Sequence, residues 1–306
     1  MQKTIHKYAK IGLVHFMAYP ATIKGGGPIE ETIRKIAIDD YFEAIEITWI
    51  KDNETRKRVK NMLDSSHMSV AYGGQPRLLT TGQNINDLDE SKRKIAVENL
   101  KEGIDEAVEM GAVGFGFLSG KYSEDNKEEA YQALVKSTKE ICSYAKSKGD
   151  IKIAHEVFDY DVDKCALVGP ASLAKRYAEE ICNEFDNFGL MVDLSHIPLI
   201  HETIEESLIP VKDYIIHAHM GNCYMLDKND PAYGDQHPRF GYPGGENDAN
   251  ELAEYLLVLR KIGYLNADNR KFLSFEVKPV GDEDPEIVIA NAKRVLNSAW
   301  AMLETS

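Results

Sequence analysis

Residues 151–158 (IKIAHEVF), 169–185 (GPASLAKRYAEEICNEF) and 189–196 (GLMVDLSH) form the unit on which the fold turns. The first and third are short apolar runs rich in strand formers. The second is longer and amphipathic, with Pro170 near a helix start. Strand, helix, strand is the signature of parallel neighbours, because a parallel pair needs a crossover between its members.

Working outward, the same unit recurs along the chain. Strands are predicted at 11–16, 44–50, 68–74, 113–120, 151–158, 189–196, 214–222 and 272–279. Helical patterns fall at 28–39, 53–66, 88–111, 126–148, 170–186, 202–213, 247–263 and 284–303, the third ending at Gly111 as a C-cap. Strict alternation of this kind predicts the α/β class and a single (β/α)8 TIM barrel over residues 1–306, a length that suits one closed barrel. An open doubly wound sheet is the competitor. It lacks support, because KGGGP at 24–28 does not have the spacing of a dinucleotide-binding loop. The glycines read as a flexible loop over a pocket mouth or as a plain chain breaker. One long connection, 223–246, precedes the last helix and strand; its aromatic residues predict an ordered wall or lid.

The formal net charge is −14, with Lys and Arg interleaved among Glu and Asp on helix faces, so a nucleic-acid partner is not expected. No run is long and apolar enough to span a membrane, and the N-terminus shows no secretory pattern, so neither a membrane nor export is expected. Cys142, Cys165, Cys182 and Cys223 form no CxxC, which points to free thiols in a reducing, cytoplasmic setting.

In a barrel of this kind, ligands gather at the C-terminal ends of the strands. The fifth strand offers His155 and Glu156 there, the sixth Asp193 and His196, the seventh His217 and His219, and the eighth Glu276 and Lys278. Buried carboxylates at that density are costly unless a cation compensates them. Carboxylates with one imidazole suit Mn²⁺, Mg²⁺ or Co²⁺. His217 shares a face with His219 one layer deeper and reads as support for it. Trp49, Tyr72, Gln75 and Arg77 lie near strand ends as candidate pocket walls.

Glu156, Asp193 with His196, His219 and Glu276 on consecutive strands, with 26 residues from Asp193 to His219, resemble the xylose-isomerase-like barrel family and its ketose-epimerase branch. The resemblance implies one Mn²⁺-like ion on Glu156, Asp193, His219 and Glu276. It also implies a carbohydrate substrate contacted by His196 and an oligomeric enzyme. The epimerases' second catalytic glutamate is missing, with Asp159 and Asp161 nearby instead, and their arginine after the metal histidine is replaced only by Arg239 on the long loop. Apurinic-site endonucleases share the unit Asp235-Gln236-His237, but Tyr72–Gln75 and Leu118–Gly120 lack that branch's histidines. The catalytic subunit of bacterial C-glycoside deglycosidases, which pairs with a small second subunit, also resembles this chain.

The chemistry common to these branches is proton abstraction beside a metal-polarised carbonyl, followed by epimerisation, isomerisation or elimination. Candidate bases are Glu156, Glu276, His155 and His15. Candidate substrate contacts are His196, His237, Arg239, Lys278 and Gln75. The competing reading is a barrel that binds without catalysis.

Overall fold

The computed structural model describes residues 3–303; residues 1, 2 and 304–306 of the expected span lie outside the described residues. The first half runs β1 (Ala9–Val14), α1 (His15–Ala18), α2 (Ile29–Ala37), β2 (Ala44–Ile47), α3 (Asn53–Ser66), β3 (Ser69–Gly73), α4 (Gln75–Leu79), α5 (Glu90–Glu109) and β4 (Gly114–Leu118). The second runs α6 (Lys127–Lys148), β5 (Lys152–Glu156), α7 (Ala171–Cys182), β6 (Phe188–Asp193), α8 (His196–Leu199), α9 (Ile204–Leu208), β7 (Ile215–Gly221), α10 (Ala249–Lys261), β8 (Lys271–Glu276) and α11 (Pro285–Met302).

The strands close in chain order into one barrel, each parallel to its neighbours, with β8 paired back onto β1. The expected TIM barrel is therefore what the chain forms. Helix starts follow local chemistry: Asp52 accepts from the Thr55 amide ahead of α3, and Asp284 accepts from the Glu286 and Ile287 amides ahead of α11. α5 ends where Gly111 turns into the left-handed region at φ 73°.

Three differences from the sequence expectation have local causes. β1 stops at Val14, so His15 opens a short helix and is not the last residue of a strand. The helical pattern over 202–213 forms only α9, because Pro210 removes a backbone donor and blocks continuation. α1, α4 and α8 are short turns on the rim that the apolar periodicity did not register.

Small residues line the barrel interior on the side of β1 to β5. A Cβ at Gly12 would sit 2.5 Å from Ser274 Oγ and 3.2 Å from Ala44 Cβ, so β1 can approach its neighbours only as glycine. Ala71, Gly114, Gly116 and Ala154 leave a cavity of about 160 Å³ beneath the strand ends, instead of the bulky layers common in such barrels. Between β6 and β7 the register slips after Leu190, opposite Ile216. Ile216 and His217 consequently both line the interior, and His217 and His219 point inward together.

The connection from Asn222 to Asp248 holds neither helix nor strand, but side chains order it. Asn222 donates to the Arg239 carbonyl (3.0 Å) and accepts from the Asn247 amide (2.7 Å), and Tyr242 donates to Asp230 (3.0 Å). Among the described residues no helix is long and apolar enough to cross a membrane.

Candidate metal centre

Register sets the site. Glu156 ends β5, Asp193 ends β6 opposite His219 of β7, and Glu276 ends β8 opposite Gly221. Glu156, Asp193, His219 and Glu276 are all buried, and each offers one ligand atom within 4.8 Å of the others. His219 Nδ1 lies 2.6 Å from Glu276 Oε2, 3.4 Å from Glu156 Oε1 and 3.8 Å from Asp193 Oδ2.

Each of three ligands commits one polar atom elsewhere and leaves the other facing inward. Gln75 Nε2 donates to Glu156 Oε2 (2.7 Å). The Ser195 amide donates to Asp193 Oδ1 (2.7 Å). His219 Nε2 donates to both oxygens of Glu46 (3.1 Å each), which leaves Nδ1 as the nitrogen facing the centre. Glu156 Oε1, Asp193 Oδ2, His219 Nδ1 and Glu276 Oε2 have no hydrogen-bond partner outside their own group. Four converging, unpartnered, buried donor atoms are a poor arrangement for a protein alone and a good one for a divalent cation.

Glu46, on β2, was not among the expected site residues. It also accepts from His217 Nε2 (2.7 Å), so one carboxylate holds both histidines of β7 from across the barrel. Burial pushes the Glu46 carboxyl up, but His217 and His219 outweigh it and hold the group well below the usual carboxylate range. Glu276 moves the other way, raised by burial that His237 and His219 only partly offset.

A second group adjoins the first. Asp235 Oδ1 lies 3.0 Å from both His196 Nε2 and His237 Nε2. His196 donates from Nδ1 to the Val157 carbonyl (2.7 Å). Lys164, also unexpected, places Nζ 2.9 Å from Asp235 Oδ2. Lys278 donates to Gln236 Oε1 (2.7 Å), and burial lowers its pKa.

These groups open into a pocket of about 260 Å³. Its floor carries Glu46, Glu156, His219 and Glu276, its flank Lys164, Asp235, His237 and Lys278. Its mouth is apolar, built from Phe16, Met17, Pro20, Ile23, Pro76 and Leu79.

Gln75, His196, His237 and Lys278 thus stand at or beside the quartet, while three other expected residues do not. His155 faces outward from β5 between the rings of Phe117 (5.0 Å) and Tyr177 (4.8 Å), since alternate strand residues point to opposite faces. His15 turns away with α1 and pairs through Nε2 with Thr32 Oγ1 (2.8 Å). Arg239 is tied to Glu283 (2.9 Å) and to the Gly241 carbonyl (2.8 Å). Nor do Asp159 and Asp161 reach the quartet: Asp159 caps its own turn, accepting from the Val162, Asp163 and Lys164 amides, and Asp161 pairs with His201. Trp49, Tyr72 and Arg77 serve packing, with Trp49 donating to the Ile23 carbonyl and Arg77 donating to Tyr72 and Glu106.

The sequence profile of the family described as xylose isomerase-like TIM barrel matches residues 35–298. No curated protein sequence matches the chain. Among solved structures, a D-tagatose 3-epimerase-like protein superposes with a TM-score of 0.70 at 19% identity, covering 97% of this chain and 98% of its own. D-psicose 3-epimerase from Clostridium cellulolyticum H10 superposes at 0.65 and 16% identity, over 97% and 98%. The 3-keto-D-glucoside 4-epimerase of E. coli superposes at 0.63 and 16% identity, over 97% and 100%. These likenesses concern the fold.

Proposed function

The chain belongs to the xylose isomerase-like TIM barrel family, and from that premise we propose that it is a divalent-metal-dependent enzyme moving a proton beside a carbonyl of a carbohydrate. The observation that carries the reading is the set of four unpartnered atoms, Glu156 Oε1, Asp193 Oδ2, His219 Nδ1 and Glu276 Oε2, aimed at one point. Mn²⁺ fits this donor set, with Mg²⁺ or Co²⁺ as close alternatives. Such an ion supplies Lewis-acid polarisation of the substrate carbonyl.

The remaining work falls to the chain. Glu46 fixes His219, and Gln75 holds Glu156 Oε2 so that Oε1 faces the centre of the quartet. Glu156 takes the proton. Glu276, which also lines the pocket, returns one. His237 holds a substrate hydroxyl, His196 braces it through Asp235, and Lys278 steadies developing negative charge from the flank. The solved epimerases that share the fold are consistent with this chemistry.

The apolar mouth favours a second reading of the same chemistry. A free ketose has no apolar part to bury there, whereas a keto-sugar carrying an apolar aglycone does. Elimination of that aglycone, as by a C-glycoside deglycosidase, uses the same proton abstraction.

The test is incubation with ketoses and oxidised glycosides in D₂O. Deuterium entering the carbon beside the carbonyl, in wild type and not in Asp193→Ala, is the expected result. No exchange with any member of the panel in the Mn²⁺-loaded chain contradicts the proposal. Exchange that needs an aglycone selects the second reading.

A further inference from the structure

The group beside the quartet has the composition of a second metal site. One carboxylate, Asp235, meets two imidazoles, His196 and His237. Asp193, His196 and His237 also offer three buried ligand atoms within 4.8 Å of one another. His196 Nε2, Asp235 Oδ1 and His237 Nδ1 have no hydrogen-bond partner. On residue type alone, this place asks for an ion as strongly as the quartet does.

Lys164 sets it apart. Its Nζ lies 2.9 Å from Asp235 Oδ2, 3.3 Å from the Asp235 carbonyl and 2.9 Å from Asp163 Oδ2. Asp163 accepts in turn from the Asp235 amide (3.1 Å) and Gln236 Nε2 (3.3 Å), closing a ring around the ammonium. The backbone places it there, because Asp159 takes the Val162, Asp163 and Lys164 amides in one turn that carries residue 164 inward. Burial disfavours the charged lysine, but Asp235 and Asp163 outweigh burial and keep it protonated. An ion on Asp235 Oδ1 would lie within a few ångströms of this fixed positive charge, in surroundings that screen it poorly.

We propose that Lys164 is a built-in cation standing where a second metal ion would otherwise balance Asp235, so that the chain holds one ion and His237 stays on the pocket wall for substrate. The inference rests on the one-ion reading of the quartet. It makes metal stoichiometry a property of residue 164: the ammonium weakens a second ion by at least about a hundredfold. Lys164→Met keeps most of the side-chain volume and removes the charge.

The experiment is to strip the chain of metal, titrate it with Mn²⁺ alone, remove free ion, and count manganese per chain, with circular dichroism to confirm folding. Wild type and Lys164→Arg bind one ion. Lys164→Met binds two, and its electron paramagnetic resonance spectrum shows coupled manganese. Lys164→Met/His237→Ala returns to one. Two ions in wild type, or a folded Lys164→Met that binds no more than wild type, overturns the inference. No ion in wild type but one in Lys164→Met sinks the quartet while upholding the role of the lysine.

Discussion

The two halves of the barrel contribute in opposite styles. β5 to β8 end in charged or imidazole side chains that converge on one point. β1 to β4 bring Gly12, Ala44, Ala71 and Gly116 to the interior, Phe16, Ile23 and Pro76 to the mouth, and only Glu46 and Gln75 to the polar machinery. One half holds the proposed ion; the other makes room, shapes the mouth and orients the ligands. A Cβ at Gly116 would lie 2.9 Å from Gln75 Nε2, so even a glycine of β4 serves a ligand of β5.

The sharpest way to break this contrast is to remove a ligand from the second half. Asp193→Ala should lose stoichiometric manganese and lower kcat/KM for an exchanging substrate by about a thousandfold or more, as expected when metal polarisation and geometry fail together. Metal analysis with deuterium-exchange rates checks it. The matching change in the first half is milder. Glu46→Gln keeps the shape, loses the charge behind His219 Nε2, and should weaken manganese binding about 10–100-fold. If both variants lose manganese equally, Glu46 is not a mere support and the division between halves fails.

A third prediction concerns pH. Burial pushes the His237 imidazole down, but Glu276 and Asp235 outweigh it and raise it to about 9. A raised folded-state value stabilises fully below the unfolded value of about 6.5, and that stability is lost as pH rises through 9. The metal-free chain should lose up to about 3 kcal/mol over that window, and His237→Gln should flatten the loss; thermal melts from pH 6 to 10 measure it. Smaller again is Gly12→Ala, which forces β1 away from Ser274 and should cost about 1–3 kcal/mol without changing metal stoichiometry. The smallest effect is His155→Phe. Both His155 nitrogens are buried without a partner, so an apolar ring should leave stability within about 1 kcal/mol and proton exchange nearly unchanged. A large loss of exchange would return His155 to the catalytic candidates.

Legibility followed the same division. The strands of both halves were readable because short apolar runs alternate with amphipathic helices. The quartet was readable because its members end four consecutive runs. Glu46 was not, since its partner His217 lies 171 positions away and local pattern carries no contact across a barrel. Its one signal was a lone carboxylate inside the apolar run at 44–50. Lys164 had no signal, because an inward turn made by Asp159 reads as an ordinary polar loop. His15 misled because β1 ends two residues earlier than its apolar run, which swings the side chain away.

The most direct measurement is anomalous diffraction at the manganese edge from crystals grown with Mn²⁺. We expect a single strong peak within bonding distance of Glu156, Asp193, His219 and Glu276. A peak elsewhere, or four side chains that hydrogen-bond one another and water around no metal, would contradict it.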